Sequence, residues 1–298
     1  MVNAFDIMRS RISKGGHVIK NVLQYDGEVW MDSGGFQFLR HGKIPDIEDL
    51  ARVYDQYWDV RYFLNLDYPP SPPTDDEHDL ELKLRRSLHN YEYLAKKFDN
   101  ILPVIHYHWR TNIIIKYVIK YLDFNPNCIA IGGLVPYVLI SRGVPKDSRR
   151  SALRFLLNIK RKINMCIHVL GLGSPIINPI LKLINIDSTD TSTWRVKAAY
   201  GKVVMPGGGE RHVSGRAINF GGKEATSDDL MRLYAFLKAT GFPMIDQFNE
   251  IVTSFEYRAL VNAWVVLNSF EVASGGVFRT IYDELAREVA EHIIEGAR

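Results

Sequence analysis

Cysteine is almost absent: the 298 residues hold two, Cys128 and Cys166, both inside apolar runs. Such residues read as buried thiols rather than as a disulfide or metal ligands, and a cytoplasmic setting fits them. No uninterrupted apolar run reaches the roughly 18 residues a membrane helix needs, so neither a membrane span nor a membrane partner is expected. The N-terminus carries Asp6, Arg9 and Arg11 and lacks the apolar stretch of a secretory signal. No Gly-x-Gly-x-x-Gly opens a helix after the first strand, which argues against a doubly wound dinucleotide-binding sheet. Internal repeats and low-complexity tracts are missing too. Charge of either sign is scarce in excess: the net value is +3, compatible with a nucleic-acid substrate without requiring one. A hydrophobic content of 46% is ample for one large core, and the length is ordinary for a single α/β barrel.

What is present is alternation. Short, nearly continuous apolar runs at 29–32, 62–67, 101–106, 128–133, 166–172 and 184–188, most ending in Gly, Asp or His, read as buried parallel strands. Amphipathic stretches lie between them. Asp46 can cap a helix whose apolar face holds Ile47, Leu50, Tyr54, Tyr57 and Trp58. Thr111–Leu122 and 151–163 read alike, Ser227 can cap another helix ending near Gly241, and 249–273 and 281–294 look helical. The glycine-rich, basic stretch 205–222 lacks periodicity and reads as a loop. Alternating β and α elements, spaced by about 20 to 40 residues, suit a (β/α)8 TIM barrel.

In a barrel, functional groups come from the C-terminal strand ends. Those ends carry Asp32, Asp67, His106, Gly132-Gly133-Leu134, Leu170-Gly171, and Asp187 with Asp190. Carboxylates are costly to bury unless paired or used. The first of these ends continues as Asp32-Ser33-Gly34-Gly35-Phe36-Gln37, where an acid and two glycines let a flat ring approach both side chain and backbone. As an ordinary strand-to-loop turn the same six residues would be unremarkable.

This hexapeptide resembles the signature of the tRNA-guanine transglycosylases and their relatives. Leu66-Asp67-Tyr68-Pro69-Pro70, Ile131-Gly132-Gly133-Leu134-Val135-Pro136, His168-Val169-Leu170-Gly171-Leu172-Gly173 and Ile186-Asp187-Ser188-Thr189-Asp190 resemble further segments of that family, in family order. The resemblance implies one TIM-barrel domain over residues 1–298, with additional C-terminal helices. It implies exchange of guanine for a 7-deazaguanine base, with Asp190 as nucleophile at C1′ and Asp32 as general acid and base. Asp187, three residues earlier, is the alternative nucleophile. Asp67 would read the N1–H and amine of the base, Gly133 and Leu134 its O6 side. Phe36 and Leu170 would sandwich the ring, with Ser33, Gln37 and Gly171 in the wall. The chemistry agrees: a covalent sugar ester splits one hard displacement into two, and two carboxyl groups in different protonation states serve both steps. No metal or cofactor is required.

The chain also departs from the family. No cysteine follows Cys166, so the three-cysteine zinc site of the tRNA enzymes cannot form and no zinc subdomain is expected. The chain is too short for their C-terminal RNA-binding modules. His106 stands where a glutamine is usual. These departures, with Trp194-Arg195 after the nucleophile, resemble the relatives that modify DNA in phage and bacteria. The expected partners are therefore DNA, alternatively tRNA, a 7-deazaguanine such as the 7-cyano form, and other proteins of a DNA-modification system. Phosphate contacts are expected from Lys202, Arg211, Arg216 and Arg195. A reduced tRNA enzyme, a non-catalytic nucleic-acid-binding subunit and a glycoside-processing barrel are the rival readings.

Overall fold

The computed structural model describes residues 1–9, 20, 24–42, 44–72, 74–214, 222–272 and 275–296. The chain divides into two compact units, Met1–Leu170 and Gly171–Arg298.

The first unit is a parallel sheet flanked by helices. In chain order it contains β1 (Val2–Asn3), α1 (Ala4–Arg9), β2 (Trp30–Asp32), α2 (Gly35–His41), α3 (Ile47–Asp55), β3 (Tyr62–Leu64) and α4 (Glu77–Ala95). Then come β4 (Ile101–Leu102), β5 (Val104–His106), α5 (Thr111–Leu122), β6 (Cys128–Gly132), α6 (Val135–Val138), α7 (Ser148–Lys162) and β7 (Cys166–Val169). The strands pair in strict sequence, β1-β2-β3-β4 and β5-β6-β7, all parallel. Only Pro103 separates β4 from β5, and its carbonyl accepts the Ala130 N–H at 2.9 Å, so the two are halves of one strand. An open doubly wound sheet would reverse its order at a switch point, and this one does not.

The sheet also curls. The rings of Trp30 on β2 and His168 on β7 have centroids 4.8 Å apart. Four strand spacings separate those strands, about 19 Å in a flat sheet. Leu64, Val104 and Ala130, with Trp30 and Leu170 packed on them, fill the concave side. The strands curve as barrel staves do, without closing into a ring among the described residues.

Helices cover the outer face for local reasons. Asp46 accepts the Glu48 N–H at 3.0 Å and starts α3, which buries Leu50, Ala51 and Tyr54. Tyr54 stacks on Phe63 at 4.3 Å and donates its hydroxyl to the Leu64 carbonyl at 2.6 Å. Trp58, expected on the same apolar face, lies beyond the helix end and is 77% exposed. α4, which the sequence reading left unassigned, is capped by Asp76 and buries Leu80, Leu84, Leu88, Tyr91 and Leu94. Cys128 and Cys166, expected as separate buried thiols, form a disulfide. They open β6 and β7 in direct register, with Cα atoms 4.5 Å apart, and partners in register share a sheet face.

The second unit holds α8 (Asn178–Ile184), β8 (Ser188–Thr189), α9 (Thr193–Ala199), β9 (Lys202–Val204), β10 (Glu210–His212), β11 (Lys223–Glu224) and α10 (Ser227–Ala239). A 3-10 helix (Ile245–Ile251), α11 (Phe255–Leu267) and α12 (Gly276–Gly296) complete it. The strand expected over 184–188 is instead the end of α8, closed by Asn185 at φ 65°, followed by β8. Pro179 in the first turn of α8 favours helix there. β9 and β10 form an antiparallel hairpin, and β10 falls inside the stretch 205–222 expected to be loop; Val203 and Val204 of β9 anchor the hairpin in the core with Leu233, Leu237, Tyr257 and Val261. The helix expected over 249–273 is interrupted, and Ser254 caps α11 afresh. The cap of α10 is Thr226, in a reciprocal capping box with Asp229, rather than Ser227.

Candidate active site

In the first unit, the C-terminal ends of β2, β3 and β5 bring Ser33, Asp67 and His106 together. Asp67 is buried. Ser33 donates its hydroxyl to Asp67 Oδ1 at 3.2 Å, and His106 Nε2 meets Oδ2 at 2.6 Å. Ser33 Oγ in turn accepts the Gly35 N–H at 3.3 Å. Gly35 permits this approach: a Cβ there would lie 2.6 Å from both the Asp67 carbonyl and Oδ1. The irregular backbone after β3 is held by side chains. Asn65 Nδ2 donates to the Ser87 carbonyl at 3.2 Å, Ser87 Oγ accepts the Tyr68 N–H at 2.8 Å, and Asn90 Nδ2 donates to the Leu66 carbonyl at 2.9 Å.

His106 opens onto the glycine pair. Its Nδ1 is buried and has no hydrogen-bond partner among the described residues. A Cβ on Gly132 would lie 2.9 Å from that atom and 3.4 Å from Leu170 Cδ1, so only glycine lets His106 and Leu170 approach the backbone this closely. Gly133 adopts φ 73°, and a Cβ there would come within 2.9 Å of the Tyr107 carbonyl. The Leu134 side chain is buried, and Phe36 on the first turn of α2 is 64% exposed. Gln37 Oε1 is buried without a partner among the described residues.

Asp32 ends β2 beside Asn3 of β1, whose Nδ2 donates to Asp32 Oδ2 at 2.9 Å. The other amide atom of Asn3 accepts the Phe5 N–H at 2.8 Å, which fixes its orientation. Burial, then the charges of Asp32 and Asp67, push the Tyr54 hydroxyl well above its ordinary range, so both carboxylates bear on one buried neighbourhood.

In the second unit, Asp190 is half-buried at the end of β8. Its Oδ1 accepts the Gly171 N–H at 2.8 Å, and its carbonyl accepts the Gly173 N–H at 3.2 Å. Asp187 is exposed.

The chain matches no family model. It is 25% identical over 285 residues to uncharacterized protein 306 of Sulfolobus islandicus rod-shaped virus 1, covering 91% of this chain and 82% of that protein. To the tRNA-guanine(15) transglycosylase of Nanoarchaeum equitans it is 26% identical over 217 residues, 69% of this chain and 49% of the enzyme. To that of Pyrococcus abyssi it is 24% identical over 200 residues, 65% of this chain and 32% of the enzyme. The chain is a distant homologue of the tRNA-guanine transglycosylases. It spans half or less of the length of these two archaeal relatives.

A zinc of the kind such transglycosylases carry does not fit this homologue. Its two cysteines are bonded to each other, and among the described residues no three His, Cys, Asp or Glu side chains group to hold a metal. The expected phosphate contacts fare unevenly. Lys202 is buried with Nζ 2.6 Å from Glu210, and Arg211 pairs with Asp229 at 2.8 Å. Both cations are committed to carboxylates inside the unit, at odds with a role on an outside phosphate. Burial raises the Glu210 carboxyl, but hydrogen bonds and charge from Lys197 and Lys202 outweigh it and bring it below its ordinary value. Arg195 is exposed on α9, and Arg216 lies outside the described residues. Sequence reasoning missed Asn3, Gly35 as a packing necessity, and the Ser87–Asn90 support. Only Gly35 left a signal, as the second glycine of the hexapeptide.

Proposed function

We propose that the protein is a DNA-guanine transglycosylase that exchanges guanine for a 7-deazaguanine base. One observation carries the reading: a buried carboxylate, Asp67, is aimed by Ser33 and His106, and His106 packs directly on the bare backbone of Gly132 and Gly133. A carboxylate offers about four acceptor sites, and two are used here, which leaves two for the N1–H and amine of guanine. His106 Nδ1 would face the O6 and N7 side, with Gly133, Leu134 and Gly171 contributing backbone and Phe36, Gln37 and Leu170 the walls.

In the first step, the Asp190 carboxylate attacks C1′ and the bond from C1′ to the base breaks. Asp32 gives its proton to the departing guanine. In the second step, Asp32 removes the ring N–H proton of the incoming base, whose nitrogen attacks C1′ and releases Asp190. Asp190 is preferred over Asp187 because the Gly171 N–H holds it in place. Asn3 would orient Asp32. The target base must leave any stack to be read this way. A single (β/α)8 barrel over 1–298 would frame the site, and the strictly sequential, curled sheet supports that architecture.

DNA is preferred because the zinc ligands are missing and because the similarity to a viral protein runs over most of both chains. The second reading, a tRNA enzyme, is favoured by the names of the archaeal relatives. Incorporation of labelled guanine separates them: label entering tRNA alone would sink the DNA reading. A covalent enzyme–DNA adduct should be trapped with wild type and lost in Asp190→Ala. Loss in Asp187→Ala with full trapping in Asp190→Ala would reassign the nucleophile. No adduct and no guanine exchange at all would favour a non-catalytic binding subunit.

A further inference from the structure

From the end of β5, the chain runs His106-Tyr107-His108-Trp109-Arg110 and enters α5 at Thr111. The head of α5 has no side-chain cap, and its first turn holds no acidic residue. Such a start leaves positive partial charge, with the Thr111 and Ile113 N–H groups turned back to the Trp109 and Arg110 carbonyls at 2.9 and 3.1 Å. Around it, donors lack acceptors. Arg110 Nη1 is enclosed by protein and has no hydrogen-bond partner among the described residues. His108 is fully buried and accepts the Arg110 backbone N–H on Nδ1 at 3.2 Å. That bond places the imidazole proton on Nε2, which is likewise unpartnered. The buried hydroxyl of Tyr107 is in the same condition, whereas that of Tyr137 has the Trp109 backbone as a hydrogen-bond partner. Tyr137 stands edge-on to both neighbours, with ring centroids 4.8 Å from Tyr107 and 6.1 Å from His108. Proteins rarely leave several buried polar groups unmet in one place. An acceptor-rich group from outside would meet them.

Trp109 stands beside this cluster, 49% exposed, with the Arg110 guanidinium 5.7 Å from its ring centroid. The nearby carboxylate, Asp75, is offset by Lys83 at 2.7 and 2.9 Å and by the Ser71 N–H at 2.7 Å.

We propose that the head of α5 is a contact site for a nucleic-acid backbone. Arg110 is half-buried: a phosphodiester oxygen sits on its guanidinium away from the enclosed Nη1, in the positive field of the helix start, and an adjoining base stacks on Trp109. His108 and Tyr107 reach the phosphate through bound water. A guanidinium and a helix start both favour an anion, and an exposed indole offers a face to any base. The site lies at the same end of the sheet as His106, four residues before Arg110. It rests on the reading that the substrate is a nucleic acid, and it supplies a backbone contact where Lys202 and Arg211 do not.

The test is anisotropy of a fluorescein-labelled, guanine-containing oligodeoxynucleotide over a salt series, with free guanine binding measured in parallel by calorimetry. Arg110→Ala should weaken oligonucleotide binding about tenfold and lower the salt slope by about one. Arg110→Lys should restore the slope. Trp109→Ala, a change at an exposed side chain, should weaken binding about tenfold at unchanged slope. Guanine affinity should stay at its wild-type value throughout. Wild-type affinity and slope in both Arg110→Ala and Trp109→Ala overturn the proposal even if guanine still binds. The expected losses in a protein that binds no guanine uphold this site and remove the transglycosylase reading instead.

Discussion

Acidification to about pH 5 is expected to loosen the fold through one buried imidazole. Burial, reinforced by the charge of Arg110 and opposed in part by Asp75, pushes His108 down from 6.5 to about 4. The unfolded chain therefore takes up a proton that the folded chain refuses until the pH is far lower. Between those values the unfolded state binds more protons, so stability falls as pH falls and the loss is complete below the folded value. Linkage puts the loss between about pH 7 and about pH 5 near 2 kcal/mol, and the full loss near 3 kcal/mol. Urea unfolding followed by tryptophan fluorescence at stepped pH measures it. His108→Phe also removes the acceptor of the Arg110 N–H, which costs a fixed amount at every pH, so the slope is the diagnostic quantity. A variant that loses stability with acid as steeply as wild type would refute the assignment to His108.

Three further outcomes follow from named contacts. Gly132→Ala adds a Cβ 2.8 Å from His106 Cε1, so stability should fall by about 1–3 kcal/mol in a urea titration, and the displaced His106 should weaken guanine binding by calorimetry as well. Reducing the Cys128–Cys166 bond, which closes a loop with a sequence separation of 38, should lower unfolding free energy by about 4 kcal/mol in a reductant-containing urea titration. Asn262→Ala orphans the Val204 N–H and releases the Trp194 and Lys202 carbonyls, so the second unit should lose about 2–3 kcal/mol by circular dichroism melts.

How much of this was legible beforehand follows from what is local in the chain. Thr111–Leu122 is helical with the bounds its periodicity predicts, and the Asp46 cap sits where a short acceptor before an apolar face places it. The apolar runs at β2, β3, β6 and β7 are strands because a doubly covered parallel sheet asks for such runs. The run ending at Ile184 satisfies helix and strand alike, and Pro179 decided for helix. What stayed hidden depends on pairing between distant residues. Asn3 is 29 residues from Asp32, and only the β1–β2 register joins them. The disulfide follows from the β6–β7 register, which no local spacing announces. Lys202 looks like a surface cation in sequence, but its strand sits in the core of its unit and Glu210, on the neighbouring strand two residues before its register partner His212, takes its charge.

The Ser33–Asp67–His106 arrangement explains why the candidate reader need not rearrange when a base arrives. Both Asp67 oxygens are already fixed by donors from the ends of other strands, and Ser33 is itself fixed by the Gly35 N–H. Prepositioned groups cost no reorganisation at the moment of use. Ser33→Ala should therefore weaken guanine binding through aim rather than charge: the carboxylate remains, but one oxygen loses its anchor. A hydrogen bond to a charged group contributes about 1.5–3 kcal/mol, so affinity should fall about ten- to a hundredfold. Cysteine at this site, with a weaker donor, should fall between alanine and serine. Wild-type guanine affinity in Ser33→Ala, with the fold intact by circular dichroism, would mean that His106 alone aims Asp67 or that Asp67 does not touch the base. Asp67→Asn then decides, since an amide loses the charge but keeps the shape, and only a base-reading carboxylate makes that exchange costly.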